Sequence, residues 1–294
     1  MNGLIRGEIY LTVDIILGMI FAELVMKFRI AEVLMKHVIP KDIPSVTGLA
    51  VAVSAGSSKA GAAIISSALA KNEIDERTAI WSVLMLPLPS YLRRWPSTLA
   101  LSVSMAGSAG GIFALSLLVR SVIRFMIAMM FVRRSNSERS PQTQTVSIKI
   151  NPSDTVRRFM KLLPMAWLFF ALAYMLSPLI NRIFREIFAG RDTFLPLAGW
   201  SVAAGSIAHI SAALSLAGGA LSSGELTVLQ ALFALILGSG LGTATRILRQ
   251  DAGYYYGLFP KGIASKMLMM NFATMMTLIL LNLIFAGLAL SLSL

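Results

Sequence analysis

Apolar runs alternate with short basic or polar stretches along the whole chain. Residues 8–26, 97–119, 160–180 and 267–294 are predominantly apolar, and 97–119 and 267–294 contain no charge at all. Runs of about 20 apolar residues are long enough to cross a bilayer as α-helices. Residues 27–41 (KFRIAEVLMKHVIPK) and 181–191 (NRIFREIFAGR) mix charged and apolar positions at helical spacing, which predicts helices lying in a membrane interface.

Two further apolar stretches, 46–71 and 197–221, are punctuated at their centres by Ser54-Ala-Gly-Ser-Ser-Lys-Ala-Gly61 and Ala204-Gly-Ser-Ile-Ala-His209. Glycine permits a tight turn, and a lysine at mid-depth is costly on a lipid-facing helix. The pattern predicts re-entrant hairpins, because non-helical backbone at membrane depth survives only inside protein or beside a cavity. A glutamate then opens each following helix, Glu76 and Glu225, where a first-turn carboxylate favours the helix N-terminus. These helices, 80–92 and 227–241, break near their ends at Pro87-Leu-Pro89-Ser90 and at Gly238-Ser-Gly240-Leu-Gly242-Thr243. A second arrangement makes residues 80–106 one broken helix, with Arg93 and Arg94 at mid-depth and the third span at 114–132. The uncharged run 97–119 favours the first arrangement.

The stretch 46–90 recurs 149 residues further on without a gap. Val53-Ser54-Ala55-Gly56-Ser57 faces Val202-Ala203-Ala204-Gly205-Ser206, and Glu76 faces Glu225. Self-similarity at a fixed period marks a repeat. The chain therefore reads as all-α, a polytopic membrane protein. Residues 1–132 and 151–294 form two repeats, each with three spans and one hairpin, joined by a polar linker at 133–150. An odd number of crossings per half makes the repeats inverted. With the N-terminus outside, Arg6, Arg93, Arg94, Arg182, Arg185 and Arg191 face out, Lys59 sits at a hairpin tip, and the other nineteen of the 26 Lys and Arg face in. Four crossings per half would leave no such bias. The positive-inside rule thus selects the hairpins, a cytoplasmic linker and both termini outside.

Composition agrees with this reading. The chain is 56% hydrophobic and 14% charged, with mean hydropathy +0.74, where a soluble domain carries about 25% charged residues. The net charge of +12 lies in loops between apolar runs, which points to cytoplasmic anchoring and not to nucleic acid. The absence of cysteine removes disulfides, thiolate metal sites and cysteine nucleophiles; His37 and His209 are too few for a histidine-rich metal centre. No cofactor and no metal is expected.

The order of interface helix, small-residue hairpin, interrupted helix and span, with Ala55-Gly56-Ser57 and Ala204-Gly205-Ser206 at the tips, resembles the nucleoside-recognition or Gate family. Modules of that family occur in concentrative nucleoside transporters, in the membrane part of bacterial ferrous-iron permeases and in spore maturation membrane proteins. The resemblance covers nearly the whole chain and implies transport of a small solute, anionic or nucleoside-like, by alternating access.

Gly and Pro interruptions at matching positions of two halves point to a transporter's binding site. The candidate substrate residues are Ser57, Ser58, Lys59, Ser206 and His209 at the tips, with Pro89, Ser90, Ser239 and Thr243 at the breaks. In the 149-residue register Lys59 falls one position from His209, and the pair would hold an anion. Lys59 snorkelling to the interface is the plain alternative. Asp14, inside the first span, is a candidate ion or proton site, with headgroup contact as its plain alternative. The expected partners are the lipid bilayer and a small-molecule or ion substrate, and a homo-oligomer is compatible with the sequence. Two other functions compete. Ser239 in Leu-Gly-Ser-Gly with His209 as base would suit an intramembrane hydrolase. A non-transporting, partner-binding role like that of the spore maturation proteins is the other.

Overall fold

The computed structural model describes residues 43–134, 195–247 and 251–293. The first span with Asp14 and Glu23, both interface helices with His37, the span at 160–180 and nearly all of the linker lie outside them. Among the described residues all regular structure is helical: α1 (Ser45–Ser54), α2 (Ser58–Ala70), α3 (Glu76–Met85), α4 (Pro87–Arg133), α5 (Leu197–Ala208), α6 (Ile210–Ser222), α7 (Val228–Arg246), α8 (Ala252–Leu258) and α9 (Lys261–Ser293). Residues 76–133 and 261–292 are long and apolar enough to cross a bilayer.

Both small-residue stretches fold as helical hairpins. Ser57 is extended (φ −154°) and its side chain accepts from Ala60 N at 3.3 Å, capping α2. Gly61 lets α2 lie against α1, since a Cβ there would stand 2.6 Å from Ala50 O. The second turn is tighter. His209 is extended (φ −164°) between α5 and α6, and its Nδ1 accepts from Ser211 N at 3.2 Å.

The two halves carry the same succession of local structures at a spacing of 152 residues. Pro44 and Pro196 precede the first arms, and Ser57 and His209 cap the second arms. Asn72 (φ 57°) and Gly224 (φ 76°) take the left-handed conformation that ends those arms. The next helices then begin with paired side chains at matching positions. Thr78 bonds Asp75, while Thr227 and Gln230 exchange two bonds of 2.9 and 3.3 Å as a capping box. The 149-residue register is therefore off by three. Glu225 corresponds to Glu73 in the turn and does not open a helix, and His209 corresponds to Ser57, not to Lys59.

The expected span at 97–119 is not a single helix. The chain reverses at its centre, where Ala106 (φ −130°, ψ 20°) and Gly107 (φ 54°, ψ −136°) leave helical geometry. The two limbs of α4 run back along each other: a Cβ on Gly110 would stand 1.8 Å from Ser102 O, and Trp95 Nε1 donates to Ala114 O at 3.1 Å. Arg93 and Arg94 consequently sit within a helix and not in a loop, as in the second arrangement. At the matching place in the other half the chain leaves α8 at Phe259 (φ −120°, ψ 155°), and Pro260 precedes α9.

The expected break at Gly238–Thr243 is also absent, because α7 is continuous from Val228 to Arg246. Its glycines serve close packing. A Cβ on Gly238 would meet Ser206 Oγ at 2.4 Å, and one on Gly242 would meet Ser206 O at 2.6 Å. Glycines four apart share one helix face and let two backbones approach. In the first half Pro87 does interrupt the helix, but Leu86 keeps helical dihedrals (φ −61°, ψ −29°) and the chain hardly changes direction there.

Two apolar clusters hold the molecule, and each mixes the halves. One joins α5, α6 and α7 to Met105–Phe113 at the reversal of α4 and to Ile279 and Ala286 of α9. The other joins α1, α2 and α3 to Tyr255–Met267 at the reversal of the second half and to Phe125 and Val132 of α4. The second limb of α4 and α9 therefore run in opposite directions between the clusters.

Candidate functional site

The expected site residues fall into two groups. In the first half Ser58, opening α2, donates to Ser90 Oγ at 2.8 Å, and Ser90 donates to Pro87 O at 3.0 Å. Ser90 and Pro89 are buried. In the second half Ser206 is buried against Gly238 and Gly242, with Ser239 and Thr243 buried on the same helix. Ser57, Lys59 and His209 are exposed at their hairpin tips. Ser239 Oγ is engaged by two partners, accepting from Arg120 Nη1 at 3.1 Å and donating to Ile236 O at 2.7 Å. His209 Nδ1 is engaged by Ser211 N.

What links the groups is a cluster of arginines that sequence reasoning assigned to loops. Arg120 sits thirteen residues after the reversal at Gly107, about 20 Å along the helix axis at ~1.5 Å per residue. That is midway between the two apolar clusters. It is 4% exposed, and Arg124, one turn further on, is 7% exposed. Arg120 Nη2, Arg124 Nε and Nη2, and the Tyr91 hydroxyl are buried with no hydrogen-bond partner among the described residues.

Arg94 and Arg246, equivalent at the 152-residue spacing, bring charge from each half. The Tyr91 hydroxyl lies in the field of Arg120, Arg94 and Arg246. Arg124 lies in the field of Tyr255, Asp251 and Arg246, and Asp251 accepts from Asn271 Nδ2 at 3.0 Å. Arg94 Nε donates to Ser90 O at 3.2 Å, and Arg93 Nη2 donates to Gly56 O at 3.2 Å at the first hairpin tip. The arrangement offers several buried N–H and O–H donors in a region of strong positive charge.

The sequence held a signal for this centre. Arg120 and Arg124 are four apart, hence on one helix face, and Arg94 and Arg246 share the 152-residue register. Placing 97–119 as a continuous span moved Arg93 and Arg94 to one surface and Arg120 and Arg124 to the other.

Among the described residues no three His, Cys, Asp or Glu side chains group as a metal site. No family model matches the chain, and no solved structure matches it. It is 27% identical over 242 residues to the uncharacterized protein MJ0871 of Methanocaldococcus jannaschii, an alignment covering 78% of this chain and 75% of that protein.

Proposed function

We propose that the chain is an integral membrane transporter of a small solute, built from two Gate-like inverted repeats that alternate access around a centre at mid-depth. The observation that carries this reading is the reciprocal packing of the halves. Each hairpin packs on the other half's reversal, and the second limb of α4 runs against α9. If those two helices cross a bilayer, their opposite directions place the axis relating the halves in the membrane plane.

Three further features support it. The hairpin arms have 10, 13, 12 and 13 residues, about 15–20 Å each, which is roughly half to two thirds of a hydrocarbon core of ~30 Å. Large apolar side chains stand outward on α9, among them Met269 at 70% and Phe285 at 68% exposure, as lipid contact requires. Charge is also polarised along the bundle. Lys71, Arg77, Arg133, Arg134, Lys261 and Lys266 lie at the end of the first hairpin, and residues 195–245 hold no Lys or Arg. That bias supports a cytoplasmic position for the first hairpin's end.

Single cysteines in this cysteine-free chain test the reading. Ser45→Cys and Asn72→Cys should react with an impermeant maleimide from the cytoplasmic side only, and Gly224→Cys from the outside only. Labelling of Ser45→Cys and Asn72→Cys from opposite sides would sink the re-entrant hairpin. Labelling of Asn72→Cys and Gly224→Cys from the same side would sink the inversion.

A further inference from the structure

We propose that the centre of the bundle binds a phosphate group, held by Arg120, Arg124 and the Tyr91 hydroxyl. This rests on the transporter reading and names the chemistry of its solute. The side chains of both arginines are more than nine-tenths buried, yet Arg120 Nη2 and Arg124 Nε and Nη2 have no acceptor among the described residues. The Tyr91 hydroxyl lies in the field of Arg120, likewise buried and without a hydrogen-bond partner among the described residues. Buried donors without acceptors are costly, and buried charges more so. Such a site suits an acceptor supplied by a bound ligand. Ser239 does not supply a donor, since its hydrogen goes to Ile236 O. It accepts from Arg120 Nη1 and so fixes the guanidinium that presents Nη2.

Charge and shape select the class of ligand. Arg120 and Arg124 are buried here, the exposed Arg94 and Arg246 stand near enough to act on them or on Tyr91, and Asp251 is the one carboxylate among the described residues that does so. Arg120 and Arg124 together carry two buried positive charges, more than a monocarboxylate balances. A phosphate group carries up to two charges at neutral pH and several acceptor oxygens, which planar guanidinium forks meet in pairs. Because Arg94 and Arg246 come from opposite halves, a ligand here feels both repeats, as a carrier that rocks one half on the other requires. The phosphate can belong to a soluble phosphomonoester or inorganic phosphate, or to a lipid headgroup.

The full chain, purified in non-ionic detergent and phosphate-free buffer, would be titrated in two arms, with inorganic phosphate and with dihexanoyl phosphatidic acid. Binding would be read by calorimetry and by melting temperature. At least one probe should raise the melting temperature of the wild-type protein. A response to inorganic phosphate assigns a soluble ligand, and a response to the phosphatidic acid alone assigns a lipid phosphate; both uphold the proposal. Arg124→Met should weaken the active probe about tenfold or more in Kd while melting close to wild type without ligand, because it removes a buried guanidinium whose Nε and Nη2 lack acceptors among the described residues and whose charge Asp251 offsets only in part. Tyr91→Phe should weaken the same probe severalfold and is the deciding variant if Arg124→Met does not fold. No response of the wild type to either probe overturns the proposal, and so does wild-type affinity in Tyr91→Phe together with Arg124→Met. Neither result would alter the cysteine labelling pattern that tests the transporter reading.

Discussion

Ser66 of α2 donates its hydroxyl to Leu258 O at 2.5 Å, across the boundary between the halves. Its equivalent at the 152-residue spacing, Gly218 of α6, lies against the other reversal, where a Cβ would stand 1.8 Å from Met105 O. The second arm of each hairpin thus touches the reversal of the opposite half through its backbone or a short side chain.

Gly218→Ala should therefore destabilise. Side-chain adjustment does not relieve the clash at this position, because the obstacle is a backbone carbonyl. Overpacking of this kind costs about 1–3 kcal/mol. Gly238→Ala and Gly242→Ala should cost a similar amount, since they push α7 off the Ser206 turn. Gly219→Ala supplies the contrast. It lies in the interior of α6 with nothing within 4 Å of its would-be Cβ, and should gain about 0.5–1 kcal/mol from helix propensity. Melting in detergent separates the two classes; a Gly218→Ala protein as stable as wild type would show that α6 does not pack on the reversal of α4.

A disulfide tests the seat of the first hairpin. The hydroxyls of Thr47 in α1 and Ser82 in α3 meet at 2.8 Å in the buried interior. Replacing both by cysteine places two sulfurs within bridging reach. The double variant should oxidise rapidly under mild oxidant and lose reactivity toward a maleimide, whereas either single variant should not bridge within the chain. A double variant that stays reduced would place α1 elsewhere.

Much of this fold was legible in the sequence, and the losses have physical causes. The hairpins were readable because Gly56-Ser57 and the stretch before His209 interrupt apolar runs with residues that turn and cap. The register was misread by three because three residues are nearly one helical turn. Sliding an Ala, Ser and Gly-rich helix by that amount exchanges like for like on much of its surface. An uncharged run such as 97–119 shows that its residues avoid water but not where they bend, and only the small residues from Ala106 to Gly111 marked the reversal. The Gly238–Thr243 run looked like a break because glycine permits one. In the structure the missing side chains are filled by a neighbouring backbone, which a single sequence does not display. The arginine centre was lost with the misplaced span, since the charge rule sends arginines to surfaces when loops are available to hold them.

The ion pair between Glu76 and Lys266 joins the halves at the basic end, 2.6 Å apart, with both side chains substantially exposed. Solvent screening and side-chain entropy hold such pairs to about 0–1 kcal/mol. Glu76→Gln should shift the melting temperature little, and raising salt should abolish the remaining difference from wild type. A large loss would mean that the pair is shielded from solvent in the folded protein.

The final prediction concerns Asp251 and Arg124, the one carboxylate of the centre among the described residues and one of its two buried guanidinium groups. Asp251 is half-buried, bonded to Asn271 at 3.0 Å, and lies in the field of Arg124 and Arg246. Arg124 relies on that field, since its Nε and Nη2 have no acceptor among the described residues. Removing the carboxylate by Asp251→Asn leaves the positive excess larger by one charge and should destabilise the protein without ligand. In Arg124→Met the same substitution should cost less, because the charge that Asp251 offsets is gone. The double-mutant cycle should return a coupling of about 0.5–3 kcal/mol, the range for residues that interact directly. Melting of the four proteins in one detergent supplies the cycle. A coupling of zero would mean that Asp251 answers to Arg246 alone. Asp251 would then belong to the edge of the centre, and Arg124 would be balanced by something other than this carboxylate.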